Sequence, residues 1–313
     1  MHYDIIGDIH GCAKTLTALL EKLDYVLSDG IYRQPNNKVI FLGDFIDRGQ
    51  YQKEVINIVR PMIQSGAALS VMGNHEFNAI AYHTYDDPTG EYLRKHSQKN
   101  KEQHQAFLDD YESDKVGYDS IISWFKTLPL WLELDGLNIV HACWDLKFIN
   151  KIKENYSEPH VLTDDFFVNA SDDESWEFDA IETLLKGKEV KLPNNGYFKD
   201  HKGIKRHDIR VKWWDSTVSS YKTAFVGSEK QRTHIPDDEI QGDYLIDYAH
   251  NQPPVFIGHY WMEGNPEPLA DNIACLDYSV AKAGKLVAYR WGGEQKINLD
   301  NYVFVDRIEA PDK

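Results

Sequence analysis

Three short apolar runs near the start of the chain each stop at a glycine followed by Asp or Asn. Residues 3–6 lead into Gly7-Asp8, residues 38–42 into Gly43-Asp44, and residues 68–72 into Gly73-Asn74. Ala13, Leu16, Leu19, Leu20 and Leu23 follow the first run at helical spacing, and Val55, Ile58, Val59 and Met62 follow the second. Strands that alternate with helices build a parallel sheet buried on both faces. Sheets of that kind present ligands beyond the carboxyl ends of their strands. The polar residues behind the three runs are therefore expected to converge on one edge.

The remainder is organised differently. Residues 83–126 are polar and mostly helical in pattern, and residues 137–140 form a strand ending at His141. A long stretch without clear periodicity runs to about residue 235. Strands resume at 255–257, before Gly258-His259, and again at 273–276, 286–290 and 302–305. Turns rather than helices separate these, so a second, more antiparallel sheet is expected. With 313 residues, 42% of them hydrophobic, the chain can bury a large core. It reads as one domain over 1–313, with a mainly helical insertion at about 83–126 and an acidic and basic insertion at about 150–235.

The 34 Lys and Arg against 50 Asp and Glu give a formal charge of −16. A field of that sign repels long nucleic acids and anionic membranes, and neither is expected as a partner. It leaves room for a phosphorylated substrate in a locally positive pocket. The charge is uneven: residues 154–182 hold ten acids and no Lys or Arg, whereas residues 199–212 hold six bases and two acids. Such runs are commonly solvated faces. The sharper expectation is that the basic run lies at a phosphate site with the acidic run beside it. An acidic border would favour phosphosites in basic contexts. Cys12, Cys143 and Cys275 are too few for a disulfide framework and point to a reducing compartment. There is no apolar run of membrane-spanning length, and strand pattern from residue 3 leaves no room for a signal peptide. A soluble cytoplasmic protein is expected.

Five elements carry chemistry: Gly7-Asp8-Ile9-His10-Gly11, Gly43-Asp44-Phe45-Ile46-Asp47-Arg48-Gly49, Gly73-Asn74-His75-Glu76, Val140-His141-Ala142 and Gly258-His259. Together they place Asp, His, Asp, Asn, His and His just behind apolar runs. Carboxylate and amide oxygens mixed with imidazoles suit divalent Mn, Fe or Zn better than Ca or Mg. Six ligands with one shared suffice for two ions with positions left open for water and substrate. Helix capping or a turn explains one such Asp or Asn but not six groups in this order. The glycines serve the turns. The other histidines, His2, His83, His96, His104, His160, His201, His207, His234 and His250, are expected at the chain end, the surface or in loops.

The ordered set GDIHG, GDFIDRG, GNHE, VHA and GH resembles the phosphoprotein-phosphatase family of the calcineurin-like metallophosphoesterases, as a bacterial-type member. The likeness is tight over the first 76 residues and then marked by His141 and His259. It implies an α/β fold of two packed mixed sheets flanked by helices, a four-layer α/β/β/α sandwich. It further implies that Asp8, His10 and Asp44 hold one metal and Asp44, Asn74, His141 and His259 the other, with Asp44 bridging. A hydroxide between the two ions then attacks phosphorus in line, and His75, positioned by Asp47, protonates the leaving group. Arg48 corresponds to a phosphate-orienting arginine, with Asn74 also near the phosphate. The family's second phosphate-binding arginine has no standard motif here; Arg210 is the choice, with Arg206 and Arg232 as rivals. His141 departs from the pattern in being followed by Ala142-Cys143 rather than glycine.

The resemblance implies hydrolysis of phosphomonoesters, with phosphoserine and phosphothreonine proteins, phosphotyrosine proteins or small phosphoesters as substrates and Mn as the metal. An alternative within the same chemistry is hydrolysis of dinucleoside polyphosphates. A metal-binding scaffold without turnover is disfavoured because every ligand, the acid and its partner are present. Tyr82, Tyr85, Tyr92, Trp144, Trp213 and Tyr278 are candidate groove walls.

Overall fold

The computed structural model describes residues 2–156, 162–199, 203–242, 244–246 and 248–310. In the first sheet, β1 (His2–Ile6), β2 (Asn37–Phe41) and β3 (Ala68–Ser70) run parallel, in register from Ile6 to Phe41 to Ser70. The second sheet begins with the hairpin of β4 (Trp131–Leu134) and β5 (Leu137–Val140) and continues with β6 (Val255–Ile257) and β7 (Ile273–Cys275), in the order β7-β6-β5-β4. β8 (Asp277–Tyr278), β9 (Lys285–Trp291) and β10 (Tyr302–Asp306) return to the first sheet, where β9 lies antiparallel to β1.

Most of the antiparallel pairing therefore falls on the first sheet, and the second keeps only the β4–β5 hairpin among its described strands, against expectation. β6 pairs parallel with both β5 and β7. The reason is connection length. The excursion between β5 and β6 is long enough to return the chain to the starting end, which parallel pairing requires, and the β9–β10 turn is short enough for a hairpin.

Strand periodicity explains the layers. Ile5, Ile40, Leu42 and Val71 share one apolar cluster with Ile139, Phe256 and Ala274, so these faces of the two sheets pack together. Ile6, Val39, Phe41, Val140, Val255 and Ile257 point the other way, into the cluster that holds the helices. Among these are α1 (Ala13–Lys22), α2 (Gln52–Gln64), α3 (Asn74–His83), α4 (Gln98–Tyr111) and α5 (Lys115–Phe125). The stretch that lacks periodicity in the sequence holds α6 (Leu146–Asn155), α7 (Asp164–Asn169) and α8 (Trp176–Lys186), and two four-residue helices at Tyr221–Ala224 and Glu229–Arg232. Residues 192–240 gather a separate small core around Ile209, Val211, Tyr221 and Phe225. The architecture is an α/β sandwich of two mixed sheets flanked by helices. The carboxyl ends of β1, β2, β3, β5 and β6 meet at one rim.

Candidate metal centre

The loops behind those strands bend sharply. His10 (φ 47°), Asp44 (φ 51°), Asp47 (φ 66°), Arg48 (φ 71°), His259 (φ 69°) and Trp261 (φ 54°) all adopt left-handed backbone. For residues with a side chain this costs on the order of 1–3 kcal/mol each and persists where surrounding bonds over-determine it. The Asp44 carbonyl accepts from the N–H groups of Ile9 and His10, and the Phe45 carbonyl from that of Gly11. Buried Gln52 accepts the Asp47 N–H at 2.8 Å and donates to the Gly49 carbonyl. Two glycines are needed for clearance: a Cβ on Gly73 would stand 2.2 Å from Asp44 Oδ1, and one on Gly258 2.0 Å from Asp8 Oδ1.

Asp44 is the hub. Its Oδ2 lies 3.6 Å from His10 Nε2 and 3.4 Å from His141 Nε2, and its Oδ1 accepts the His75 N–H at 2.9 Å. Two groups of ligand atoms close enough to hold an ion form around it: His10, Asp44 and His75, and Asp44, His141 and His259. Asn74 Oδ1 is 3.4 Å from His141 Nε2. Asp8 is buried beside this cluster but turns its oxygens to the His259 N–H, at 3.0 and 3.3 Å. In the first group His75 thus stands where the resemblance implies Asp8.

The imidazoles are oriented from behind. His10 Nδ1 donates to the Ile46 carbonyl at 3.0 Å and His141 Nδ1 to the Leu42 carbonyl at 2.6 Å. A carbonyl only accepts, so each bond fixes the ring with Nε2 aimed at Asp44. Nε2 of His10 and of His259 is buried with no hydrogen-bond partner among the described residues. Orphaned acceptors around a shared carboxylate fit divalent cations.

The electrostatics agree. Burial pulls His10 down to about 3 against the attraction of Asp44. Burial also opposes charge on His141, yet Asp44 and then Asp8 push it up to about 10. Burial would raise Asp44, but His141 and then His75 hold it well below the usual carboxylate range. Burial and then Asp277 push Asp8 well up. Asp44 thus keeps its charge and His10 its free lone pair, the states in which each can bind a cation, while Asp8 and His141 are groups that a cation would have to relieve of a proton.

His75 is held as an acid would be. Its Nδ1 donates to Asp47 Oδ2 at 2.6 Å, and Asp47 Oδ1 accepts from His104 Nδ1 at 2.9 Å. Burial lowers His75, but Asp44 and then Asp47 prevail and raise it above its ordinary value. His104, expected at the surface, is 5% exposed, with Nε2 buried and unpartnered among the described residues. It sits with Phe107 and Tyr111 on the buried face of α4; the i, i+3, i+7 spacing is the signal that would have found it. Glu76 was also missed. It is fully buried and accepts three backbone N–H groups, from Asp44 (2.8 Å), Phe45 (2.8 Å) and Gly73 (3.0 Å), which fixes the loop that carries the hub. Burial and then Asp44 push it up to about 7.

Asn74, His75 and His259 open onto a cleft of about 2580 Å³. Among the described residues, twelve Lys and Arg line it against nine Asp and Glu. The cleft is therefore positive on a chain whose net charge is −16. Five of the bases, Lys199, Lys205, Arg206, Arg210 and Lys212, come from the basic run. The acidic segment reaches the cleft through Ala170, Ser171, Phe178 and Glu182, and among its described acids Glu182 is the one on the lining. Arg206, Arg210 and Arg232 all line the cleft. Arg232 is tied to Glu229 at 3.0 Å and to the Lys222 carbonyl. Arg210 lies 3.6 Å from Glu189, and after burial its charge is what most lowers His259. Arg48 is exposed and lies over the Trp261 ring.

Of the candidate walls, Tyr82 lines the cleft. Trp144 (1% exposed), Trp213 (0%) and Tyr278 (3%) are core residues instead, each large ring being more stable fully packed. Tyr85 and Tyr92 are exposed but lie off the cleft. Trp214, Tyr260 and Trp261 line it in their place. Cys12, Cys143 and Cys275 are buried thiols. His160 and His201 fall outside the described residues. No helix among the described residues is long and apolar enough to cross a membrane.

The model of the calcineurin-like phosphoesterase family matches residues 1–275, and the chain belongs to that family. The shared Asp44 and the two ligand groups around it fit the dinuclear divalent centre of metallophosphoesterases. Similar curated proteins are two asymmetrical bis(5'-nucleosyl)-tetraphosphatases PrpE. That of Oceanobacillus iheyensis is 31% identical over 152 residues, 45% of this chain and 55% of that protein. That of Geobacillus thermodenitrificans is 47% identical over 76 residues, 24% of this chain and 31% of that protein. The chain thus spans about half the length of the first relative and less of the second. Among solved structures, the cold-active protein-tyrosine phosphatase of a Shewanella species aligns with a TM-score of 0.49 at 14% identity, over 94% of this chain and 78% of that one.

Proposed function

We propose that this chain is a metal-dependent phosphoesterase of the phosphoprotein-phosphatase type whose substrates are dinucleoside polyphosphates. The observation that carries the substrate class is the cleft: large, lined by more bases than acids, and opening directly onto Asn74, His75 and His259. A single phosphomonoester needs one or two cations beside the metals; a chain of phosphates needs a row of them. The names of the PrpE relatives support the same choice. This reverses the order set by the sequence, in which phosphoprotein hydrolysis leads.

Asp8, His10 and Asp44 would hold one ion and Asp44, Asn74, His141 and His259 the other. Mn is the preferred metal, with Fe or Zn also compatible with the donor set. Such a centre supplies an activated water and charge neutralisation at phosphorus. The protein's own groups do the rest. Arg48 and Arg210 orient the phosphoryl oxygens, with Asn74 beside them. His75 gives its Nε2 proton to the leaving oxygen, and Asp47, itself clamped by His104, keeps that ring oriented and protonated. The insertions at about 83–126 and 150–235 shape the cleft, and the buried thiols suit a reducing cytoplasm.

The test is turnover by the Mn-loaded protein of diadenosine tetraphosphate beside phosphoserine, phosphothreonine and phosphotyrosine peptides. Diadenosine tetraphosphate should have the highest kcat/KM. Peptide turnover equal to it or faster would overturn the substrate reading. Hydrolysis of every substrate at the level of a His75→Ala control would overturn the enzyme reading altogether.

A further inference from the structure

Trp261 is placed with more force than a groove wall needs. Its backbone is left-handed (φ 54°), a strained conformation for an aromatic residue. Buried Asp277 holds it there: Oδ2 accepts the Trp261 N–H at 2.8 Å while Oδ1 accepts the Ser279 N–H at 2.9 Å. The Met262 N–H donates to the Asp277 carbonyl at 2.9 Å, and Ser279 Oγ donates to the Met262 carbonyl at 3.1 Å. Three of these hydrogen bonds stitch the loop behind β6 to β8 and the turn behind it, and the fourth braces that turn, whose residues Ser279 (φ 59°) and Ala283 (φ 66°) are also left-handed. That turn carries Lys282.

The indole therefore brings together two cations from distant parts of the chain. Arg48 Cζ lies 4.6 Å and Lys282 Nζ 3.9 Å from the ring centroid. All three side chains line the cleft. The same ring also meets the metal centre: the His10 ring stands 5.7 Å from that of Trp261, at 25° to it. The indole attracts both cations, and an anion held by them in the cleft would lie beside the ring that packs on a candidate metal ligand.

We propose that Lys282, held on Trp261 beside Arg48, forms a second phosphate subsite, which takes the phosphoryl group next to the one that Arg48 orients for attack and so selects a polyphosphate chain over a monoester. Trp261 is a positioning residue in this scheme and Lys282 the contact that a monoester lacks. The inference rests on the substrate class proposed above, and its test is separable from it. Binding of methylenediphosphonate and of methylphosphonate, neither of which can be hydrolysed at its P–C bonds, is measured by calorimetry on the protein with Mn²⁺ in excess. The intact protein should prefer the two-phosphorus ligand. Lys282→Ala should weaken the diphosphonate by about tenfold, the size of one charge–anion contact, and leave the monophosphonate within about twofold. Lys282→Arg should restore the preference, which a merely structural role would not do. Trp261→Leu, if it folds, should weaken both, because it releases Arg48 as well. An unchanged preference in Lys282→Ala, or an equal loss for both ligands, overturns the subsite. Failure of the intact protein to turn over diadenosine tetraphosphate, with the diphosphonate preference intact and dependent on Lys282, would overturn the substrate assignment alone.

Discussion

Replacing Asp47 by Asn keeps the shape of the side chain and removes the charge that holds His75. Both Asp47 oxygens are in use, one accepting from His75 Nδ1 at 2.6 Å and the other from His104 Nδ1 at 2.9 Å. An amide has one oxygen and one NH2, so one of those two ring N–H groups must face a donor. A hydrogen bond to a charged group contributes about 1.5–3 kcal/mol. At about 1.4 kcal/mol per decade, its loss corresponds to a fall in kcat of roughly ten- to 150-fold where the leaving oxygen needs a proton. The sign of the pH effect follows from the same contacts. Burial alone would lower His75, and Asp44 together with Asp47 raises it. Without the Asp47 charge the imidazolium gives up its proton at lower pH. The alkaline limb of the kcat/KM profile should move down, with activity lost first at high pH. Mn-supported hydrolysis of phenyl phosphate and of p-nitrophenyl phosphate separates the roles. Nitrophenolate leaves with little help from an acid, so the phenyl ester should suffer most. An unmoved alkaline limb with equal loss on both esters would refute the acid–carboxylate pair.

Other perturbations have distinct signatures. His104→Ala should leave metal content normal but reduce phenyl phosphate turnover by about tenfold, because Asp47 loses one anchor; turnover like that of the unaltered protein would show that His75 alone holds the carboxylate. Glu76→Gln puts an NH2 among three backbone donors and should cost about 1–3 kcal/mol, read as a lower Tm with and without Mn²⁺. Arg48→Ala should raise KM and lower kcat with metal content unchanged, and metal loss would make Arg48 structural instead. Mn²⁺ affinity should fall as pH falls, beginning above the ordinary carboxylate range, because burial and Asp277 raise Asp8 and a ligand must be deprotonated to bind; dialysis at graded pH reads this directly.

The strand ends were legible because each apolar run abuts its polar element. Alternation along Ile5-Ile6 and Val39-Ile40-Phe41 assigns one residue to each face of the sheet, as the two clusters show. The sheet to which later strands belong was not legible, since β9 joins β1 across nearly the whole chain. Helices α6 and α8 were hidden in a stretch where charged residues interrupt a short apolar stripe. His104 was overlooked because α4 is polar, and its partner lies 57 residues away. Glu76 was within a quoted motif, yet backbone N–H groups, which no sequence pattern displays, give it its role. Trp261 and Lys282 meet only because Asp277 ties two loops together.

Metal stoichiometry by mass spectrometry, on the protein dialysed from Mn²⁺ at neutral pH, tests the central claim, that one carboxylate joins two cation sites. Two ions per chain are expected, falling below one in Asp44→Asn because Asp44 belongs to both ligand groups. Two ions retained in Asp44→Asn, or no more than one in the unaltered protein, would contradict it.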